Sequence, residues 1–327
     1  MGRVKRVATL VAIAVGTLAT AGCDRPADDE RDGASSGAPD SQPDAGESAV
    51  AADSGYAEVD GLRIFYQVYG DLTSGRTPLL ILHGSYMSAD AMEPMTDGFV
   101  ATRPVIVIDQ RGHGRTGDAE GPITYELLAD DAAGVLESLG VPTADVLGYS
   151  LGANTAILMA IRHPDRVGKL VAVSGTYRRD GWYPEVLQAM AQITPEFFAG
   201  TPMESEYRRL SPTPDAFPTL VEKLKVLDAA PQAWSEDEIR AFRGKTMIVL
   251  GDADAVRPEH AVELFRLRGG GDPAVAAQGF LTEPPPARLA ILPGTSHIGI
   301  MAEAELVADL VTPFLDDETP PMPEGFF

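Results

Sequence analysis

Cysteine is almost missing from this chain: Cys23 is the only one in 327 residues. One thiol cannot close an internal disulfide or build a thiolate metal site, so stability has to come from a buried core. Basic residues are also few, 26 Lys and Arg against 48 Asp and Glu, giving a net charge of −22. That balance argues against binding the phosphates of nucleic acid and against electrostatic adhesion to anionic lipid. It says nothing about the charge inside a pocket. No apolar run reaches the roughly 20 residues that cross a bilayer, since the longest, Val7 to Gly22, falls short. Internal repeats, a phosphate-binding glycine loop and clustered metal ligands are absent from the sequence, so no cofactor and no metal are expected.

The amino-terminal region is informative in its own way. Arg3, Lys5 and Arg6 precede the apolar stretch, and Thr20-Ala21-Gly22-Cys23 closes it. This resembles a bacterial lipoprotein signal peptide over residues 1–22, which implies cleavage before Cys23 and a lipid anchor on that residue. Thr20 stands where an aliphatic residue is usual in such peptides, and an ordinary secretory signal is the alternative. Both place the protein outside the cytoplasm, the first as a membrane-anchored lipoprotein and the second as a secreted or periplasmic protein. Residues 23–54 are rich in Asp, Ala, Gly, Ser and Pro and, from 24 on, carry no aromatic residue, a composition that cannot bury enough surface to order itself. We read them as a disordered acidic tether with a reach of roughly 30 Å. Residues 55–316 are long enough for one domain with a single large core, and 317–327 form a tail.

Within that domain, short apolar runs end repeatedly in glycine-bearing loops. Leu79 to Leu82 runs into His83-Gly84-Ser85-Tyr86, and Val105 to Ile108 into Asp109-Gln110-Arg111-Gly112-His113-Gly114-Arg115-Thr116. Ala144 to Leu147 leads into Gly148-Tyr149-Ser150-Leu151-Gly152, after which Ala153 to Arg162 is helix-forming up to His163-Pro164. Thr246 to Leu250 ends at Gly251-Asp252-Ala253-Asp254, and Leu289 to Leu292 ends at Pro293-Gly294-Thr295-Ser296-His297. Continuous apolar runs alternating with helix-length segments predict an α/β fold, a mainly parallel central sheet flanked by helices. Functional residues then belong at the carboxyl ends of the strands. A serine between two glycines at a strand-to-helix turn is held exposed on a strained backbone, and larger neighbours would clash there.

Together these motifs, in this order, resemble the α/β-hydrolase fold family, over about residues 56 to 316. The resemblance implies a serine hydrolase of the cofactor-independent subgroup that includes esterases, lactonases, perhydrolases and carbon–carbon bond hydrolases. Ser150 needs a base to take its proton, and the order nucleophile, acid, histidine selects His297 from the five histidines. The acid that holds the imidazole in its productive tautomer belongs on the loop after the preceding strand. Asp254 is favoured there and Asp252 competes. Backbone N–H groups of Leu151 and Ser85 are expected to form the oxyanion hole, with Tyr86 as the alternative to Ser85. His83 is read as a structural brace. Asp109, Arg111 and His113 are read as knitting their own loop, and His163, Arg257 and His260 as helix-end residues.

The resemblance also assigns the segment of about 176–243 to an inserted helical cap over the site. Phe197 and Phe198, with Tyr86 and Tyr149, are the expected substrate-binding side chains, and Met190, Ile193, Phe217 and Trp234 are further candidates for an apolar acyl pocket. A second insertion, about 269–286, reads as a surface excursion carrying a short helix. The implied reaction is acyl transfer from a small-molecule ester to water. Perhydrolysis, lactone opening and carbon–carbon cleavage by the same triad stay open, as does a non-catalytic surface binding protein on this fold.

Overall fold

The computed structural model describes residues 51, 53–321 and 325. The expected signal peptide, Cys23 and the tether up to residue 50 lie outside the described residues. Eight strands form one sheet: β1 Asp53–Val59, β2 Leu62–Tyr69, β3 Leu79–Leu82, β4 Val105–Ile108, β5 Ala144–Tyr149, β6 Val167–Val173, β7 Thr246–Ala253 and β8 Ala287–Ser296. Their spatial order is β1-β2-β4-β3-β5-β6-β7-β8, and every pairing from β4 to β8 is parallel. The two antiparallel pairings are those of β2, with β1 and with β4, and β1 joins β2 at Asp60-Gly61, both with positive φ, as a two-residue hairpin turn requires. β1 starts at Asp53, so the last two residues assigned to the tether belong to the sheet. The sequence reading had not singled out this hairpin.

Both sheet faces are covered, which is why the central strands read as unbroken apolar runs. The flanking helices are α1 Glu93–Val100, α2 Tyr125–Ser138 and α3 Leu151–Arg162. Leu80, Leu82, Ile106 and Ile108 face a core shared with α2 and α3. Leu79, Ile81, Val105 and Val107 face the other way, towards Met95 and Phe99 of α1 and Val307, Val311 and Phe314 of the carboxyl-terminal helix. Chain order reverses between β3 and β5, since β3 has β4 on one side and β5 on the other. This is the switch point at which open α/β sheets place their sites.

Between β6 and β7 the chain leaves the sheet through a 3-10 turn, Arg179–Gly181, and forms α4 Pro184–Met190, α5 Pro202–Leu210 and α6 Phe217–Ala229. These enclose an apolar cluster of their own, in which Phe198, Tyr207, Phe217, Leu220, Val221 and Leu224 are buried together with Leu151 from α3. Polar contacts bind this cap to the loops after β3 and β4: Ser88 donates to Glu206, Arg209 pairs with Asp90 at 3.3 Å, and Lys223 with Asp118 at 2.6 Å. The next helix, α7 Glu236–Ala241, falls inside the expected cap range but packs on α3, with Ile239 and Phe242 in the main core. The cap proper is therefore shorter than 176–243. Helix α8 Pro258–Leu267 follows β7, and α9 Pro273–Gln278 lies in the second insertion with no buried residue. Helix α10 Ala304–Leu315 ends the domain, and Asp317 in the expected tail pairs with Lys169 and Lys245 at 2.9 and 2.6 Å. No helix among the described residues is long and apolar enough to cross a membrane.

Candidate active site

Ser150 sits between β5 and α3 with φ +55° and ψ −115°, a region ordinary side chains avoid. The strain is imposed by contacts on both sides. A Cβ on Gly148 would lie 2.1 Å from the Gly152 carbonyl oxygen, and one on Gly152 would lie 2.1 Å from the Leu82 carbonyl oxygen. Ser150 N–H donates to the Val173 carbonyl at 2.9 Å, which fixes the turn against β6.

The sheet order carries four further loops to the same edge. His297, just beyond β8, meets Ser150 with Nε2 3.0 Å from the hydroxyl oxygen, although 147 residues separate them. Its Nδ1 lies 2.8 Å from Asp254 Oδ1. Of the two competing acids, Asp254 is the one on the imidazole, whereas Asp252 accepts only the Thr295 N–H at 3.3 Å among the described residues. Asp254 also accepts from Val256 N–H at 3.0 Å, Ser174 Oγ at 2.6 Å and Gly251 N–H at 3.3 Å. Burial alone would raise its carboxyl, but the bonds from His297, Ser174 and Val256 outweigh burial and hold it below the ordinary aspartate range.

Ser174 is a site residue that the sequence reading missed. It ends β6 with φ +54°, and its hydroxyl reaches across to the loop after the neighbouring β7. The Ser-Gly pair at that strand end was the available signal. Trp182 was also unassigned, yet its ring meets His297 edge-on at 5.4 Å.

Leu151 is the first residue of α3, so its N–H has no intrahelical acceptor. The loop after β3 stands beside it because β3 and β5 are paired, and Tyr86 there has φ +63°. Behind that loop, His83 and His113 are fully buried with rings 4.9 Å apart. His83 Nε2 accepts the Gln110 N–H at 3.0 Å, and its Nδ1 donates to the Gly84 carbonyl at 2.8 Å. Burial pushes His83 down to about 4 and His113 to about 3. Asp109 accepts N–H groups from Ala89 and Arg115, both at 2.6 Å, and Arg111 forms a two-pronged pair with Asp131. These side chains hold loops in place and do not face the Ser150 hydroxyl.

The expected substrate-binding residues divide. Tyr86 is half-buried with its ring 4.5 Å from Phe198, which in turn packs against Phe197 and Phe217. Tyr149 differs from expectation: it is 2% exposed, packs under His297, and donates its hydroxyl to the His297 carbonyl at 2.8 Å. It braces the histidine loop and does not line a pocket. The reason is strand alternation, which turns Tyr149 to the face opposite the cap. Among the described residues no group of three or more metal-ligating side chains is clustered.

Comparison with known proteins adds three findings. Residues 77–267 match the family described as alpha/beta hydrolase fold. Among curated relatives, "Putative carbamate hydrolase RutD" of Caulobacter segnis is 38% identical over 124 residues, 37% of this chain and 46% of the relative. The chain thus spans about half the length of the carbamate hydrolase relatives it matches. The pimeloyl-[acyl-carrier protein] methyl ester esterase of Neisseria meningitidis is 27% identical over 256 residues, 72% of this chain and 76% of the relative. Among solved structures, the enol-lactonase of Burkholderia xenovorans LB400 superposes with a TM-score of 0.60 at 22% identity, covering 80% of this chain and 99% of the other. At that identity the likeness speaks for the fold. The match over more than half of the sequence, on the sheet just described, makes this chain a member of the alpha/beta hydrolase fold family.

Proposed function

We propose that the protein is an extracytoplasmic serine hydrolase that cleaves a carboxylic ester or similar acyl substrate. One observation carries the reading: a hydroxyl on a strained elbow, an imidazole 3.0 Å from it and a buried carboxylate 2.8 Å behind that imidazole. Ser150 Oγ gives its proton to His297 Nε2 as it attacks the carbonyl carbon, and Asp254 stabilises the imidazolium that forms. The oxyanion is received by the N–H groups of Leu151 and Ser85. His297 passes the proton to the departing alkoxide, leaving an acyl-Ser150 ester. Water then gives a proton to His297 and attacks that ester, and the same proton returns to Ser150 as the acid leaves.

A relative named as a methyl ester esterase supports an ester as substrate, and one named as a carbamate hydrolase supports attack at a carbonyl more broadly. A fluorophosphonate probe tests the nucleophile. Labelling of the folded protein that disappears in Ser150→Ala is the expected result, and a folded protein that takes no label ends the reading. The lipid anchor is a separate part of the proposal. A fatty-acid label incorporated in cells should be lost in Cys23→Ala, and absence of label from the unaltered protein would remove the anchor.

A further inference from the structure

The loop after β3 carries Ser85, one of the two proposed oxyanion donors, and it is held differently at its ends and in its middle. At one end Gln110 donates its N–H to His83 Nε2 at 3.0 Å and its side-chain amide to the His83 carbonyl at 2.7 Å. At the other end the Ala89 N–H donates to Asp109 Oδ1 at 2.6 Å. Gln110 and Asp109 are both buried in the loop after β4, so these ends are fixed to the main core. Between them the backbone's bond to itself is long, from the Met87 N–H to the Gly84 carbonyl at 3.4 Å. The middle is restrained from the cap instead. The Tyr86 ring lies 4.5 Å from Phe198 and 6.5 Å from Phe217, against the cluster that also buries Leu151, the residue of the second proposed donor. Two residues on, the Ser88 hydroxyl donates to Glu206 of α5.

Tyr86 is the outlier of this loop. Five non-glycine residues among the described residues have positive φ, and the other four are Asp or Ser. A bulky ring in that region is sterically costly, and such strain persists only where surrounding contacts over-determine it. Here those contacts are the cap aromatics on the Tyr86 ring. With both ends of the loop anchored, a relaxation of φ at Tyr86 has to be taken up by neighbouring torsions, which include those that aim the Ser85 N–H.

We propose that Tyr86 is a positioning residue for acyl transfer: the docked cap holds its ring, and through it the strained backbone that presents the Ser85 N–H to the oxyanion. The cap then does more than cover Ser150, because it completes one half of the oxyanion hole. The inference rests on Ser150 being the nucleophile and on Ser85 supplying the donor.

Two probes test it without knowledge of the natural substrate. The maximum rate of fluorophosphonate labelling, and the concentration giving half that rate, are measured for the full chain and for Tyr86→Phe, Tyr86→Ala, Phe198→Leu and the Tyr86→Ala/Phe198→Leu pair. Charge builds on the phosphoryl oxygen as Ser150 attacks phosphorus and fluoride leaves, so a misplaced donor lowers the maximum rate. Tyr86→Ala should lower it at least about tenfold, with the half-saturating concentration unchanged within about threefold. Phe198→Leu, which leaves Tyr86 in place, should lower it at least about threefold, and the pair should be no slower than Tyr86→Ala alone, since the ring that Phe198 holds is already gone. Tyr86→Phe should keep the rate. An alkyl trifluoromethyl ketone becomes an oxyanion when Ser150 adds to its carbonyl carbon and passes the proton to His297. Its affinity should fall in Tyr86→Ala by the same factor as the rate, while that of the matching methyl ketone holds. A smaller loss of rate in Tyr86→Ala, a change confined to the half-saturating concentration, or losses that multiply in the pair overturns the proposal. If Tyr86→Ala does not fold, Phe198→Leu decides alone on the same rate and ketone affinity. A folded, unaltered protein that takes no label removes the hydrolase reading itself, whereas labelling at an unchanged rate in the variants removes only the role of Tyr86.

Discussion

Replacing Ser174 by alanine removes one hydrogen bond to Asp254 and almost nothing else. The bond is the shortest of the four on that carboxylate, at 2.6 Å, and leaves Oδ2 only the Gly251 N–H at 3.3 Å. A hydrogen bond to a charged group contributes about 1.5–3 kcal/mol. Alanine keeps the Cβ, so no large cavity opens, and it bears the same cost as serine at φ +54°. Ser174→Ala should therefore destabilise the fold by about 2 kcal/mol, read as a lower urea midpoint with an unchanged slope. The loss should depend on the acceptor's charge. In an Asp254→Asn background the same substitution should cost only about 1 kcal/mol, the value for a neutral pair. Asp254 stays ionised at neutral pH in Ser174→Ala, so ester turnover should fall far less than in Asp254→Asn. Equal costs in both backgrounds would refute the argument, because the loss would then come from packing.

Asp254→Asn should lower kcat by about 10⁴ by favouring the wrong imidazole tautomer, whereas Asp252→Asn should leave turnover near its starting value; a reversed ranking in ester assays would exchange the two acids. Gly152→Ala places a methyl 2.1 Å from a backbone oxygen, so a loss of about 3 kcal/mol or more is expected in denaturant melts, and unchanged stability would mean that the elbow relaxes freely. His113 is held neutral to about pH 3 in the fold and titrates near 6.5 when unfolded, so the unfolded chain binds the extra proton and stability is lost as pH falls below 6.5. Its contribution to the slope is about 1.4 kcal/mol per pH unit down to about pH 3. His113→Gln should flatten the stability profile by that amount, and profiles that stay parallel would contradict its burial as a neutral ring.

The candidate triad was legible because each member ends a strand, and the apolar runs leading to Gly148, Gly251 and Pro293 could be read without knowing how the strands pair. Choosing between Asp252 and Asp254 needed more. The strand continues to Ala253 and its register shifts between Gly251 and Ala253, so the loop geometry, and not the spacing, brings Asp254 to the imidazole. Ser174 was hidden for a related reason: its role exists only because β6 lies beside β7, an adjacency between segments separated by the whole cap. Tyr149 was expected among the substrate-binding side chains, but alternation along β5 turns it to the face opposite the cap. The division at α7 was equally hidden, since its amphipathic pattern suits a cap helix and a sheet-flanking helix alike.

The Tyr149 hydroxyl on the His297 carbonyl gives the nucleophile and its base a common mechanical reference. The neighbour of Ser150 acts as a strut of fixed length: the histidine loop cannot drift from the elbow without breaking a bond rooted one residue away. Burial raises the Tyr149 phenol above its ordinary value, so the proton in that strut is retained at any pH at which the protein would work. The spacing between hydroxyl and imidazole is thus maintained from the face of β5 opposite the cap, independently of how the cap packs.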